Sequence, residues 1–300
     1  MSISKFLEYL SLEKQFSKNT VIAYRKDITE FHEFCENEMD IDTIDLVSYP
    51  IIRQWIVSLV DAKISNRSIN RKIASLKAYY KFLLKCGVIE TNPLLKHKAL
   101  KTQKKTEIPF SVAEMENVLL HLKNTNDFES VRDFFLIELL YTTGMRRNEL
   151  INLKCSDIKK TERVVKVLGK RNKERIIPLL VSLINDLDHY LSFREGVVTE
   201  ASGDYLFLTK TGNKIYETLV YRIINNYFSK ASSKAKTSPH ILRHTFATHM
   251  LSKGADLNSV KELLGHASLA STQVYTHNSI AELKKVHAKA HPRNQKDLDR

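Results

Sequence analysis

Apolar residues that return every three to four positions constrain this chain more than any other feature. In "SNRSINRKIASLKAYYKFLLKCG", Ile69, Ile73, Leu76, Tyr80 and Leu83 fall on one face of a helix that stops at Gly87. In "SKNTVIAYRKDITEFHEFC", Tyr24, Ile28, Phe31 and Phe34 repeat the pattern, with Ser17 or Asn19 as the cap. "VRDFFLIELLYTTG" reads as an apolar helix closed by Gly144. With only 8 glycines and 6 prolines in 300 residues, long loops are disfavoured. The exception to the helical period is "RVVKVLGKRNKERIIPL", which alternates as two short strands around a charged turn. The expected fold class is mostly α: a helical amino-terminal domain, then a mixed α/β domain with a small antiparallel sheet.

The segment "HKALKTQKKTEIP" is polar and basic, lacks apolar periodicity and follows Pro93. It divides the chain into a domain over 1–98, a linker over 99–109 that is free to lie along DNA, and a domain over 110–300. Ser111 followed by Glu114 has capping-box spacing and opens the second domain. Helices resume from about 181, and no internal repeat is visible.

The formal net charge is +13 and the pI about 9.5, so the expected partner is a polyanion, with nucleic acid first. No apolar run approaches a membrane span, and "MSISKFLEYLSLEKQF" carries charges where a signal peptide needs an apolar stretch. Arg67, Arg71, Lys77, Lys81 and Lys85 lie largely off the apolar stripe of their helix. Solvation explains any one of them, but their density on one helix points to phosphate contacts. Cys35, Cys86 and Cys155 are far apart, which proposes neither a disulfide framework nor a cysteine metal site. Cys35 and Cys86 sit in apolar helical patterns and are expected as core thiols. A reducing cytoplasm fits.

"HILRHTFATHM" gathers three histidines and an arginine. His240 and His244 have the i, i+4 spacing of two zinc ligands; His240 and Arg243 have the i, i+3 spacing of two donors to one anion. No carboxylate stands between the histidines, and the fixed charge of Arg243 opposes a metal ion. There is no GxxxxGK[ST], GxSxG or HExxH motif either. The phosphate reading gathers further donors: Arg146 in "YTTGMRRNEL", Lys170 and Lys173 in "GKRNK", and His266 after Gly265 in "DLNSVKELLGH". Tyr275 follows in "STQVYTH". Between 166 and 175 five residues are basic and one acidic, so the turn itself is cationic. Each has a plain structural explanation alone: Arg146 paired with Glu149, Lys170 exposed on a turn, His266 capping a helix, Tyr275 in a core.

Taken together and in this order, the blocks "TGMRRNELINLKCSDI", "VLGKRNKERIIPL", "HILRHTFATHMLSKGADLNSVKELLGHASLASTQVYTH" and "KKVHAKAHPR" resemble the tyrosine recombinases of the integrase family, most closely the compact Xer-type enzymes. "NTVIAYRKDITEF" and "INRKIASLKAYYKFLLKCGVIETNP" extend the resemblance to the amino-terminal part. The resemblance implies a SAM-like core-binding domain over 1–98 and a catalytic domain over 110–300. It implies strand cleavage and rejoining through a 3′-phosphotyrosyl intermediate, without cofactor or metal. Residue by residue, it makes Tyr275 the nucleophile, His240 the base and Lys170 the general acid. Arg146 and Arg243 would hold the phosphate oxygens, His266 would donate one more hydrogen bond, and Glu149 would orient its neighbours. Arg67, Arg71, Lys77 and Lys173 would contact DNA. Arg171 stands where the family commonly has glycine, which leaves both Lys170 and Lys173 as candidates for the acid. Arg147 beside Arg146 makes the choice between them rest on spacing from Gly144.

The implied partners are a double-stranded target site and a tetramer of protomers on two duplexes, with a second related recombinase as an option. Chromosome-dimer resolution during cell division is favoured over a mobile-element integrase or transposase, since no extra amino-terminal arm-binding domain is read. In "SIAELKKVHAKAH", Ile280, Leu283, Val286 and Ala290 form a last apolar stripe. Family resemblance places it on a neighbouring protomer; packing on its own domain is the alternative.

Overall fold

The computed structural model describes residues 2–103, 107–123, 126–169, 174–231, 237–265 and 277–295. Two compact units divide at residues 105 and 106.

In the first unit, α1 (Ser2–Glu8) runs into a π-helical turn (Tyr9–Glu13), followed by α2 (Lys18–Met39), α3 (Tyr49–Asp61) and α4 (Asn66–Lys85). Ser17, not Asn19, caps α2, its hydroxyl accepting from Thr20 N at 3.3 Å. The α4 stripe is core throughout: Ile69, Ile73, Leu76, Tyr80 and Leu83 are all buried. They meet Ile28 and Phe31 of α2 and Trp55 of α3, with the Phe31 and Trp55 rings 4.9 Å apart. Truncating one such residue, for example Leu76→Ala, costs about 2–5 kcal/mol. Cys35 is in this core but Cys86 is exposed, which corrects the expectation for it. Helix α4 ends at Lys85, so Cys86 lies past the last core-facing turn. The segment read as a linker begins attached to this unit, since Asn70 bonds both backbone groups of Leu100 at 2.9 Å.

The second unit begins with α5 (Val112–Lys123), α6 (Phe128–Thr143) and α7 (Arg147–Asn152). The Ser111–Glu114 box forms in both directions, at 2.6 and 3.2 Å. Strands β1 (Ile158–Lys159), β2 (Val164–Leu168) and β3 (Glu174–Pro178) make an antiparallel sheet in sequence order, with Val165 opposite both Ile158 and Ile177. Helices α8 (Val181–Glu195), α9 (Glu217–Ala231), α10 (Pro239–Ser252), α11 (Leu257–Leu264), α12 (His277–Ala290) and α13 (Pro292–Gln295) complete it. The almost wholly buried α6 is the centre of this core.

Helix α12 packs on its own unit, against β3, α10 and α11, with Leu283 and Ala290 buried. This is the own-domain arrangement, the alternative to docking on a neighbouring protomer. The reason lies at the end of α6, whose last carbonyls have no intrahelical donor. His287 Nε2 donates to Thr142 O at 2.6 Å and His291 Nε2 to Tyr141 O at 3.2 Å, while Arg293 Nε donates to Glu138 Oε1 at 2.7 Å. His249 also belongs to this region, buried and bonded through Nδ1 to the Tyr141 hydroxyl at 2.9 Å. His244 is exposed on α10.

Candidate active site

The site is built where α6 stops. Gly144 has φ +59°, and a Cβ there would lie 2.4 Å from Phe246 Cδ1, so glycine is required by conformation and by space. The turn delivers Arg146 to the N-cap of α7. There Glu149, three residues on, accepts from the Arg146 backbone N–H at 2.7 Å and from its Nη1 at 2.9 Å. The adjacent Arg147 points elsewhere and pairs with Glu217 at 2.5 Å.

Three guanidiniums converge on the last carbonyls of α11. Arg175 Nε donates to Leu263 O at 3.1 Å, Arg243 Nη2 to Leu264 O at 2.7 Å, and Arg146 Nη2 to Gly265 O at 3.2 Å. These carbonyls are the negative end of the helix and lack helical donors, which is why cations collect there. Arg243 also donates from Nη1 to Gly144 O at 2.6 Å, tying α10 to the Arg146 turn. Arg175 grips Glu149 with both amino groups, at 2.7 and 2.8 Å.

One carboxylate thus faces three buried or half-buried guanidiniums. Burial pushes the Glu149 carboxyl up, but the hydrogen bonds and charge of Arg175, then of Arg146, overcome this and hold it below the usual range. Burial, and next the charges of Arg146 and Arg175, pull Arg243 down to about 10. It stays cationic at neutral pH. The surplus positive charge, with Arg146 38 % exposed, favours an anion at this place.

His240 and Arg243 share α10 but not an environment. His240 is exposed in the first turn, with Nε2 3.4 Å from Glu107 Oε2, while Arg243 is buried one turn later. Lys170, Lys173, His266 and Tyr275 lie outside the described residues. Among the described residues no three histidine, cysteine or acidic side chains are grouped as a metal site needs. Arg175 was the residue that sequence reasoning missed, counted only within a basic stretch. Its signal was there: it shares the inward phase of β3 with Ile177, and a charge on the apolar side of a strand needs a buried partner.

Arg67, Arg71 and Lys77 are exposed on α4. Arg71 is also paired with Asp27, a fully buried carboxylate that accepts from Ser75 Oγ at 2.7 Å. No helix among the described residues is long and apolar enough to cross a membrane.

Residues 110–282 match the phage integrase family, and residues 3–87 match the phage integrase N-terminal SAM-like domain. The tyrosine recombinase XerC of Anoxybacillus flavithermus is 38 % identical over 97 % of this chain and 98 % of its own length. The tyrosine recombinase XerD of Staphylococcus epidermidis is 35 % identical over the same shares. Among solved structures, a XerH site-specific recombinase superposes with a TM-score of 0.71 at 20 % identity, covering 99 % of this chain and 84 % of the other. A Tn1549 transposon integrase gives 0.71 at 20 % identity, covering 95 % and 98 %. With a SAM-like domain ahead of a helical unit that carries a small antiparallel sheet, and relatives alike from end to end, this chain belongs to the phage integrase family, the tyrosine recombinases that cut and rejoin DNA strands.

Proposed function

We propose that this recombinase cuts its DNA site by attack of the Tyr275 oxygen on a phosphodiester, held by Arg146 and Arg243. The observation that supports this most is the convergence of the two arginines at the end of α11, one residue before His266 in the sequence. Their flat forks suit two phosphate oxygens, and charge placed in advance of the transition state stabilises it at little further cost. A phenol ordinarily ionises near pH 10, so Tyr275 needs a base, for which His240 is the candidate. The leaving 5′-oxygen needs a proton, from Lys170 or Lys173, and His266 adds one donor. The 3′-phosphotyrosyl bond conserves the energy of the broken link, so a 5′-hydroxyl from a second duplex can reseal the strand.

DNA partners the whole reaction, with Arg67, Arg71 and Lys77 on its backbone. The XerH structure was solved on a difH substrate and the Tn1549 integrase on transposon-end DNA, which supports duplex DNA as substrate here. Full-length likeness to XerC and XerD relatives supports resolution of chromosome dimers in the cytoplasm, by four protomers on two duplexes with a related recombinase as co-subunit.

The test is a nicked substrate, made from genomic sites recovered with the protein, whose severed end diffuses away. Wild type should form a denaturation-resistant adduct, with or without EDTA. Tyr275→Phe should bind the same DNA and form none; an adduct with that variant would reject Tyr275 as nucleophile.

A further inference from the structure

We infer that Arg175 is a positioning residue of the cleavage site: it saturates Glu149 and pins the last turn of α11, which leaves the outward N–H groups of Arg146 for a phosphate. The inference rests on the proposed role of Arg146 and deepens it.

Glu149 has two oxygens and about four lone-pair sites. Arg175 fills two, Arg146 Nη1 a third and the Arg146 backbone N–H the fourth. Remove Arg175, and a buried carboxylate with two vacant sites faces Arg146 alone. Such a pair closes into a bidentate bridge, and the fork turns away from DNA. Arg175 is 4 % exposed and cannot reach DNA, whereas Arg146 is 38 % exposed and each of its two amino groups, with one bond made, keeps a second N–H for a phosphate. The third bond of Arg175, to Leu263 O, fixes the turn whose next two carbonyls hold Arg243 and Arg146. Gly265 makes room for it: a Cβ there would sit 2.9 Å from Arg175 Cδ, at φ +65°.

The arrangement has a signature that simple support of the fold would lack. Three charged groups face Glu149: Arg175 from β3, Arg146 from the start of its own helix, and Arg243 from α10 at longer range. Without Arg175, burial dominates and the carboxyl takes a proton more readily. Cleavage should then fall further as pH falls.

Three variants test this on the nicked substrate: Arg175→Lys, Arg175→Gln, and Glu149→Gln with Arg175→Gln. Arg175→Gln should cleave roughly 100-fold more slowly, the loss expected of a misplaced group. The deficit should widen from about pH 8 to about pH 6, and Glu149→Gln should remove that widening. Arg175→Lys retains the charge without the fork and should lose about tenfold. DNA affinity should stay within about threefold, since one phosphate contact is among many. Unchanged cleavage in both single variants would overturn the inference, as would a loss equal at every pH and indifferent to Glu149→Gln. If Arg175→Gln does not fold, Arg175→Lys decides, because it leaves no uncompensated carboxylate. A spectrum of isotope-labelled arginine side chains supplies a readout without DNA. The Arg146 and Arg243 signals should move in Arg175→Lys, and unmoved signals would overturn the inference. A wild type that forms no adduct would defeat the reading of Tyr275, and the spectrum would still decide on Arg175.

Discussion

The first unit and the guanidinium cluster of the second bury charge in opposite ways. In the first, buried Asp27 is matched by Arg71, and buried Lys72 lies 2.5 Å from Glu30. Each buried charge has its counter-ion, and the cationic ends face out along α4. In the second, Arg146, Arg175 and Arg243 share a single carboxylate, and the rest of their charge leans on backbone carbonyls. A matched pair holds a fold together. A surplus that one carboxylate leaves unmatched is electrostatically suited to an anion.

The sharpest way to break this contrast is Glu149→Ala. It leaves three guanidiniums with no carboxylate, and uncompensated buried charge costs about 3–5 kcal/mol. The second unit should melt roughly 10 °C lower, and cleavage should vanish. Calorimetry reads the first and the adduct assay the second.

His287 marks the boundary of the contrast, because it is buried without charge. Burial depresses its pKa from 6.5 to about 4, opposed by its bond to Thr142 O. A depressed histidine favours the folded state above the unfolded pKa and loses that contribution as pH falls through the folded one. The stability difference between wild type and His287→Asn should therefore be greatest above about pH 6.5 and shrink by roughly 3 kcal/mol on approaching pH 4. A difference constant across that window would mean that the ring is not held neutral.

Asp27→Asn is the counterpart in the first unit and should cost only about 1–3 kcal/mol. Arg71 is half exposed and regains water, while Lys72 keeps Glu30. Cleavage per bound complex should not change. A loss as large as that of Glu149→Ala would erase the distinction between the units.

The smallest effect belongs to the outward cations. Lys77→Ala should weaken DNA binding a few-fold and reduce the slope of log affinity against log salt by about one. An unchanged slope in a filter-binding titration would remove Lys77 from the DNA face.

Much of the fold was legible in the chain. The α4 stripe, the cap at Ser111, the stop at Gly144 and the two strands about the cationic turn all form where local pattern put them. These features depend on neighbours within a few residues, and sequence spacing reports such neighbours directly. The order of the motif blocks carried the family.

What the sequence did not determine was the partner of each buried group. Local pattern could not separate Arg146, which joins the cluster, from Arg147, which pairs outward with Glu217. Nor could it fix the exposure of Cys86 and His244, or the docking of α12 on its own unit. Those outcomes rest on contacts between distant positions. Arg175 meets Glu149 across 26 residues and Leu263 across 88; Arg243 meets Gly144 across 99, and His287 meets Thr142 across 145. A helical or strand period says which face turns inward, but a buried charge or ring is stabilised only by what the other elements bring to that face, and packing alone decides that.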